Sequence, residues 1–377
     1  MTKVIILGGG IAGLSTAIAL HRNGINVEVF EKTEELKPVG AGIMLAPNAI
    51  RIFNEWGITD RLRRYANPLL STIFYSDKGR VLQKQDLSQL SQQMYAIHRA
   101  DLHKVLLKEL KTVPIHLGKR AVNFQQNEHS TTVYFDDGDQ VHGDLIVAAD
   151  GIHSIIRKQL LPNLPIQYAG YTCWRGVAEY AGSIHLDDEL HEIWGANGRF
   201  GYVPISKTKV YWYMLVNALP NDKRYSNYTV NHLIETLPNY PQPVHDILQL
   251  TNHENVIKHD IFDIPDLKQY AFERVVLVGD AAHAMTPNLG QGACQGIEDG
   301  YSLGRNVGNQ LVNGLKFYEK NRLTRASKIS KVSRMAGKLA QLDKPFLCKV
   351  RNMLLLSTPS FINERQSKFL YEDYDVI

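Results

Sequence analysis

The sequence predicts an α/β fold in which a parallel-sheet domain is interleaved with a largely antiparallel sheet and followed by a helical tail. Three observations predict it. Short, continuous apolar runs of the kind found in buried parallel strands recur near residues 5, 29, 147 and 277. A glycine-rich turn joins the first run to a helical pattern. The stretch 166–216, between the later runs, is rich in aromatic and β-branched residues broken by turns, as in an antiparallel sheet.

The elements follow in order. Residues 3–7 are the first strand, Gly8-Gly9-Gly10 the turn, and 11–22 a helix that Asn23-Gly24 ends. Residues 27–30 form a second strand, closing with Glu31 and completing a βαβ unit. Pro47 opens a helix as its first residue and Gly57 stops it. Residues 72–84 read as a hairpin turning at Asp77-Lys78-Gly79, 101–110 as a helix, and 115–141 as three short strands. Asp136-Asp137-Gly138-Asp139 looks like a calcium loop only superficially. The spaced later ligands are missing, so a hairpin turn is expected. Residues 145–149 and 275–278 return to buried parallel strands. Turns in the antiparallel stretch are expected near Gly182, Gly198 and Ser206-Lys207, and the chain from about 291 is mostly helical.

Composition bounds the chemistry. At about 150 residues per domain, 377 residues make two to three domains. With 44% hydrophobic and 21% charged residues, the chain has a globular rather than a disordered composition. Cys173, Cys294 and Cys348 include no CxxC pair, which excludes a Cys₄ iron–sulfur cluster, a zinc ribbon, c-type haem attachment and a disulfide framework. Redox chemistry here would need a non-covalent organic cofactor. A formal charge of +4 gives no reason to expect nucleic acid. The first strand starts too early for a signal peptide and no apolar run reaches membrane-span length, so a cytoplasmic protein is expected.

Three motifs carry the functional signal. In Gly8-x-Gly10-x-x-Gly13, Gly8 permits the tight turn, Gly10 lets a pyrophosphate approach the backbone, and Gly13 lets helix and strand pack closely. The phosphate would sit on unpaired N–H groups at the helix start, and Glu31 would accept hydrogen bonds from ribose hydroxyls. The alternative is a glycine-rich turn in an unrelated α/β protein. The second motif runs from Asp144 through Asp150-Gly151 and Ser154 to Arg157, with Asp150 at a strand end where open α/β sheets bind ligands. Alone, the motif reads rather as a plain helix cap at Asp150 or Ser154. The third runs from Arg274 through Gly279-Asp280 and His283 to Pro287, Gly290-Gln291-Gly292 and Asp299. Its Gly-Asp pair would bind ribityl or ribose hydroxyls, and its glycine loop, with the following helix, would stabilise negative charge near Ala293. His283 is expected to be a hydrogen-bonded structural residue and Cys294 a small packed one.

In this order and at these separations, the motifs resemble the FAD-dependent aromatic hydroxylases of the p-hydroxybenzoate hydroxylase type. Lys37-Pro-Val-Gly-Ala-Gly-Ile43, Gly118-Lys-Arg-Ala-Val122 and Thr286-Pro-Asn-Leu-Gly-Gln-Gly-Ala-Cys294 look most similar to the urate hydroxylase-like and salicylate hydroxylase-like members. The resemblance implies a Rossmann-like, glutathione reductase-type FAD-binding domain formed by 1–70, 97–165 and 270–325. It implies a substrate-binding domain of 71–96 and 166–269 and a helical segment of 326–377. It implies that Gly8, Gly10, Ala12, Gly13, Glu31, Lys32, Ala41, Gly42, Arg99, Val122, Asp150, Gly151, Gly279, Asp280, Gly290, Gln291, Gly292 and Ala293 serve non-covalent FAD. NAD(P)H would bind transiently at the same domain, since no second dinucleotide fingerprint is present. The implied reaction hydroxylates an aromatic or N-heteroaromatic small molecule with NAD(P)H and O₂, through a flavin C4a-hydroperoxide.

For the substrate, strand periodicity puts Tyr211, Tyr213 and Leu215 on one face and Val210, Trp212 and Met214 on the other. The Tyr211 face is expected to meet the pocket, with Arg199 as its partner by resemblance to urate hydroxylases. Arg175 is a second candidate anion anchor, and Pro287 is expected to shape the floor. The competing reading makes Arg199 a solvated turn residue and Tyr211 sheet packing. Residues 316–338 form a basic amphipathic helix, which either packs on the flavin domain or touches an anionic membrane surface. A flavin oxidoreductase without oxygen transfer and a non-catalytic binding protein of the same fold are the alternative functions. The oligomer is expected to be a monomer or homodimer, and no metal is expected.

Overall fold

The computed structural model describes residues 2–36, 41–180, 186–307 and 311–372. Its first layer is a six-stranded sheet in the order Ala271–Phe272, Val275–Leu277, Leu145–Ala148, Lys3–Leu7, Asn26–Phe30, Ile115–His116. All pairs are parallel except the first. Leu145 through Ala148 and Val275 through Leu277 are fully buried, as continuous apolar runs in a two-sided sheet must be. Strands more than a hundred residues apart therefore lie side by side. Ile5 stands between Glu28 and Ile146.

Two helices pack on this sheet and on one another. Helix Ile11–Arg22 begins at the glycine turn and helix Gly292–Asn306 at the third motif. Their contact runs along Gly296, Gly300 and Gly304, one per turn of the later helix. A Cβ on these glycines would stand 2.9 Å from Ala12 Cβ, 2.6 Å from the Thr16 nitrogen and 2.6 Å from Ala19 Cβ. Gly300 meets backbone directly, and its two flanking glycines meet nothing larger than an alanine methyl. At the turn itself, Gly8 has φ +110°, and a Cβ on Gly13 would fall 1.9 Å from the Gly8 carbonyl oxygen. Gly13 thus serves close helix–strand packing, as the fingerprint requires.

The second layer is a seven-stranded sheet in the order Ile257–Asp263, Gln167–Glu179, Lys209–Asn217, Gly198–Pro204, Glu189–Gly195, Ser71–Ser76, Val81–Asp86. It is antiparallel except where Glu189–Gly195 runs parallel to Ser71–Ser76. One face buries Trp174, Phe200, Trp212 and Met214 against Leu233, Val244 and Ile247 of two short helices. The opposite face turns Arg175, Tyr211 and Tyr213 toward the first layer. Lys209–Asn217 therefore alternates as its period-two pattern predicts.

Some local expectations are refined. The expected hairpin turns at Gly79, φ +76°. The helix expected at 101–110 is Arg99–Leu107. The region 115–141 holds four strands rather than three, and the last three form their own sheet. Asp137 and Asp139 in its hairpin turn are paired to Lys119, not arranged for calcium. No group of three or more metal-binding side chains occurs among the described residues. The turn expected near Gly182 lies outside the described residues, as do Lys37 through Gly40. After 311 come helices Leu311–Ala340, Pro345–Leu356 and Ser360–Tyr371. None of the described helices is long and apolar enough to cross a membrane.

The bare helix–helix contact makes a prediction. Gly300→Val should destabilise the fold by about 1–3 kcal/mol or more, because the added carbons meet backbone that cannot swing aside. Thermal unfolding checks it, and an unchanged midpoint would show that the two helices separate at no cost.

Candidate active site

A cavity of about 1360 Å³ lies between the layers and reaches the C-terminal helices. Single-ligand pockets usually measure about 300–1000 Å³, so this one has room for more than one small molecule. All three sequence motifs open onto it. Gly8, Gly10, Ala12, Glu31, Lys32, Gly42 and Arg99 contribute wall from the first βαβ unit and its neighbours. Asp150, Gly151, Gly279 and Asp280 contribute it from the two later strand ends, and Pro287 and Gly290 through Ala293 from the glycine loop. Gly13 and Ala41 are not on the wall. The Ala41 carbonyl accepts the Arg99 N–H at 2.9 Å and so supports a wall residue.

Val122 requires a correction. It is 45% exposed and lies outside the cavity, whereas Lys119, Arg120 and Ala121 line it. Alternation along Ala121–Gln126 turns Ala121 inward and Val122 away.

The walls fit a bound dinucleotide. At Gly10, Gly151 and Gly292 an added Cβ would meet nothing within 4 Å, so bare backbone faces open space. Gly10 caps one helix and Gly292 begins another, so unpaired N–H groups and the positive ends of two helix dipoles face the cavity. The Glu31 carboxylate accepts the Gly9 N–H at 2.7 Å and the Thr33 N–H at 3.0 Å, and each oxygen keeps a lone pair for a hydroxyl. Asp150 accepts the Ile155 N–H at 2.9 Å through one oxygen, while its other oxygen is buried without a partner. Burial raises its pKa despite those N–H contacts. Gln291 has its carbonyl held by Asn48 and Gln295, leaving its amide nitrogen buried and unpartnered. Arg157 donates to the carbonyls of Asp280 and Ala281, at 3.3 and 3.1 Å, and locks the second motif to the third.

Arg199 and Tyr211 both line the sheet-side wall of the cavity, as expected. Arg199 is buried with its Nε 2.9 Å from a Glu192 oxygen and its guanidinium 5.9 Å from the Tyr213 ring centroid. Tyr213 Oη donates to Glu192 at 2.8 Å, as does Trp194 Nε1. Arg199 is thus neither a solvated turn residue nor joined to Tyr211 by any hydrogen bond. It is the neutralised half of a buried ion pair. Tyr211 packs against Gly42, where a Cβ would fall 2.4 Å from its ring. Burial pushes the Tyr211 hydroxyl pKa up, which keeps it a proton donor at neutral pH. Arg175 lines the cavity half-buried, its Nε has no partner, and no ion pair reaches it among the described residues. Sequence reading missed Glu192. Its only signal is a carboxylate at an alternate position of the strand Glu189–Gly195, whose Leu190 and Trp194 also face the cavity.

Behind the glycine loop lies a buried ionic network. Asp299 accepts the Gly279 N–H at 2.7 Å, His283 Nε2 at 2.6 Å and Arg322 Nε at 2.6 Å. Glu298 is paired with Arg322 and Arg325 and accepts Asn48 at 2.5 Å. His283 is therefore structural. Burial alone would raise the Asp299 pKa, but His283 and Arg322 overcome it and hold the group at about 2. Cys294, fully buried, is pushed up to about 12 by desolvation, so it is a packed thiol and not a nucleophile. Arg322→Met should cost about 3–5 kcal/mol, the usual penalty for breaking a buried pair. Asp299 ionises far more readily folded than unfolded, so its contribution is present above pH ~4 and lost as pH falls toward 2. The stability gap between wild type and variant should narrow over that window. Denaturant titrations at several pH values test this, and a pH-independent gap would contradict it.

Comparison with known proteins agrees with this geometry. Residues 1–333 match the FAD binding domain family. Aurachin C monooxygenase/isomerase of Stigmatella aurantiaca is 32% identical, with 93% of each chain covered. The 2-heptyl-3-hydroxy-4(1H)-quinolone synthase of Pseudomonas aeruginosa is 32% identical, covering 98% of this chain and 97% of that one. The crystal structure of Klebsiella pneumoniae HpxO complexed with FAD and uric acid superposes with a TM-score of 0.91 at 25% identity, covering 100% and 98% of the two chains. With both helix starts and the unpartnered Asp150 oxygen on one cavity, the chain belongs to the FAD binding domain family and, within it, to the FAD-dependent monooxygenases.

Proposed function

We propose that this chain is a single-component hydroxylase that takes electrons from NAD(P)H, uses O₂, and inserts one oxygen atom into an aromatic or heteroaromatic ring anchored by Arg175. The observation that carries the reading is that one cavity joins the dinucleotide-type loops to a sheet face bearing an unpaired guanidinium. FAD, when bound, supplies electron acceptance and oxygen activation. Gly10 and Glu31 would hold its adenosine end, Asp280 its middle, and Gly290 through Ala293 its ring system. The N–H groups that open helix Gly292–Asn306 stabilise negative charge beside them. Asp150 and Gly151 serve FAD and the transient NAD(P)H together.

On the substrate side, Arg175 offers bidentate donors to an anionic or carbonyl-bearing ring. Relatives support that chemistry, since uric acid and a 4(1H)-quinolone, named for two of them, carry ring carbonyls. The protonated Tyr211 hydroxyl donates to the ring and so orients it. Arg199 and Glu192 cancel one another and form a fixed polar wall, with Tyr213 held by Glu192. Pro287 shapes the floor. We assign 71–96 and 166–269 to the substrate-binding unit and 1–70, 97–165 and 270–325 to the FAD-binding unit. Support comes from the pairing of Ser71–Asp86 segments with strands of 167–263 in one sheet.

The protein should purify with FAD, and aromatic carbonyl compounds should stimulate NAD(P)H oxidation with a product one oxygen atom heavier. Arg175→Ala should raise KM for such a ring about 10- to 100-fold, as loss of a charge-assisted hydrogen bond does, and Arg175→Lys should restore part of it. Stimulated oxidation that ends wholly in hydrogen peroxide for every ring would favour an oxidoreductase without oxygen transfer. A chain that holds no FAD would favour a binding protein.

A further inference from the structure

We propose that the outer face of helix Pro345–Leu356, with the apolar rim of the cavity beside it, docks on an anionic phospholipid bilayer and opens the cavity toward the membrane. Cys348 and Arg351 mark the buried side of this helix. The opposite side presents Phe346 at 73% exposure and Met353 at 62%, with Val350 between them on the same face. Leu354 beside them is 62% exposed and also lines the cavity. So do Met335, Leu339 and Ile362, all exposed. Four large apolar side chains that are at once surface and cavity wall make a greasy mouth, and the face of Phe346 and Met353 continues it outward. Isolated surface hydrophobics are ordinary, but a contiguous patch at a cavity mouth marks an interaction site.

Charge selects the occupant. Lys344 precedes the helix, Lys349 lies on its exposed side near Phe346 and Met353, and Lys338 stands on the neighbouring helix. All three are exposed and carry no ion pair among the described residues. The nearby Asp343 is turned to the Asn217 side chain at 2.9 Å. Residues 328–368 hold nine Lys or Arg against two acids, while the whole chain carries only +4, so the remainder is net acidic. Apolar anchors flanked by lysines suit the interface of an anionic bilayer. A two-fold contact with a second copy would instead set the same lysines against themselves and plug the mouth. The basic helix noted in the sequence is not itself this surface. Arg322, Arg325, Lys331 and Arg334 are held by Glu298, Asp299, Asp266 and Asp263.

Entry of a membrane-dissolved ring substrate by this route rests on the hydroxylase reading, whereas the docking does not and is read without turnover. FAD-loaded protein should sediment with vesicles of phosphatidylglycerol and phosphatidylcholine at low ionic strength, and only weakly with phosphatidylcholine alone. Phe346→Asp with Met353→Asp should abolish sedimentation. Lys344→Ala with Lys349→Ala should weaken it roughly 25-fold, about fivefold for each lysine near the surface. Both variants should keep FAD and the wild-type unfolding midpoint, which shows that they fold. No sedimentation of the wild type with anionic vesicles overturns the proposal. So does equal binding to both vesicle types, or a dimer in sedimentation velocity that Phe346→Asp disrupts while vesicle binding is absent.

Discussion

The architecture depends on the close approach of helices Ile11–Arg22 and Gly292–Asn306. Three glycines at four-residue intervals leave only Ala12 Cβ, the Ser15–Thr16 backbone and Ala19 against them, so the two helices approach closely. That approach brings two helix N-termini, separated by 281 positions in the chain, onto one cavity wall. Ala12 shows how little space remains. Its Cβ lies 2.6 Å from where a Cβ on Gly279 would be and 2.9 Å from one on Gly296. A single alanine thereby touches the first motif, the strand end of the third, and its helix. Any larger group there would push apart the loops that share one cofactor.

Buried charge then decides which polar groups stay available. Glu298 and Asp299 carry two carboxylates into a dry site, which is tolerable only because Arg322, Arg325 and His283 meet them. The Gly279 N–H donating to Asp299 couples this cluster to the Gly-Asp turn, so the cluster holds the loop in place. On the opposite wall Glu192 does the same for Arg199, Tyr213 and Trp194. Arg175 is exempt from this pairing. On the wall where Glu192 neutralises Arg199, a guanidinium without a carboxylate partner keeps its attraction for a ligand.

Much of this was legible in the sequence, for identifiable reasons. Strands buried on both faces must be apolar at every position, so 3–7, 145–148 and 275–277 announce themselves without an alignment. Glycines that touch backbone, such as Gly8 and Gly13, have no substitute, and their spacing reports the turn directly. The alternation of Lys209–Asn217 separates its two faces, and the family resemblance picks the Tyr211 face, which lines the cavity while Val210, Trp212 and Met214 are buried opposite. The glycine stripe on the later helix was not legible, since helix–helix contact depends on which partner arrives across the fold. Glu192 was hidden for a similar reason. A carboxylate in a strand looks solvent-facing until its arginine, brought by a neighbouring strand, is seen beside it. Val122, expected from the family resemblance, stands one step of the pleat away from the cavity wall that Ala121 lines.

The C-terminal helices complete the cavity and are not an appendage. Arg351 donates to the carbonyls of Ala340 and Trp194, at 3.2 and 3.1 Å, and so ties the tail to the seven-stranded sheet. Arg325 holds Glu298 with one part of its guanidinium and the Leu370 carbonyl, at 3.1 Å, with another, tying the same tail to the glycine-loop helix. The tail is thus a strap between both layers, and its side chains line the cavity mouth. Flavin-side walls are built from backbone and fixed ion pairs that tolerate little change. The strap lines the cavity with aliphatic side chains, Met335, Leu339, Leu354 and Ile362 among them. Replacing one of these alters the shape and polarity of the entrance without moving a cofactor-binding group. The entrance is therefore physically separate from the walls that fit the cofactor.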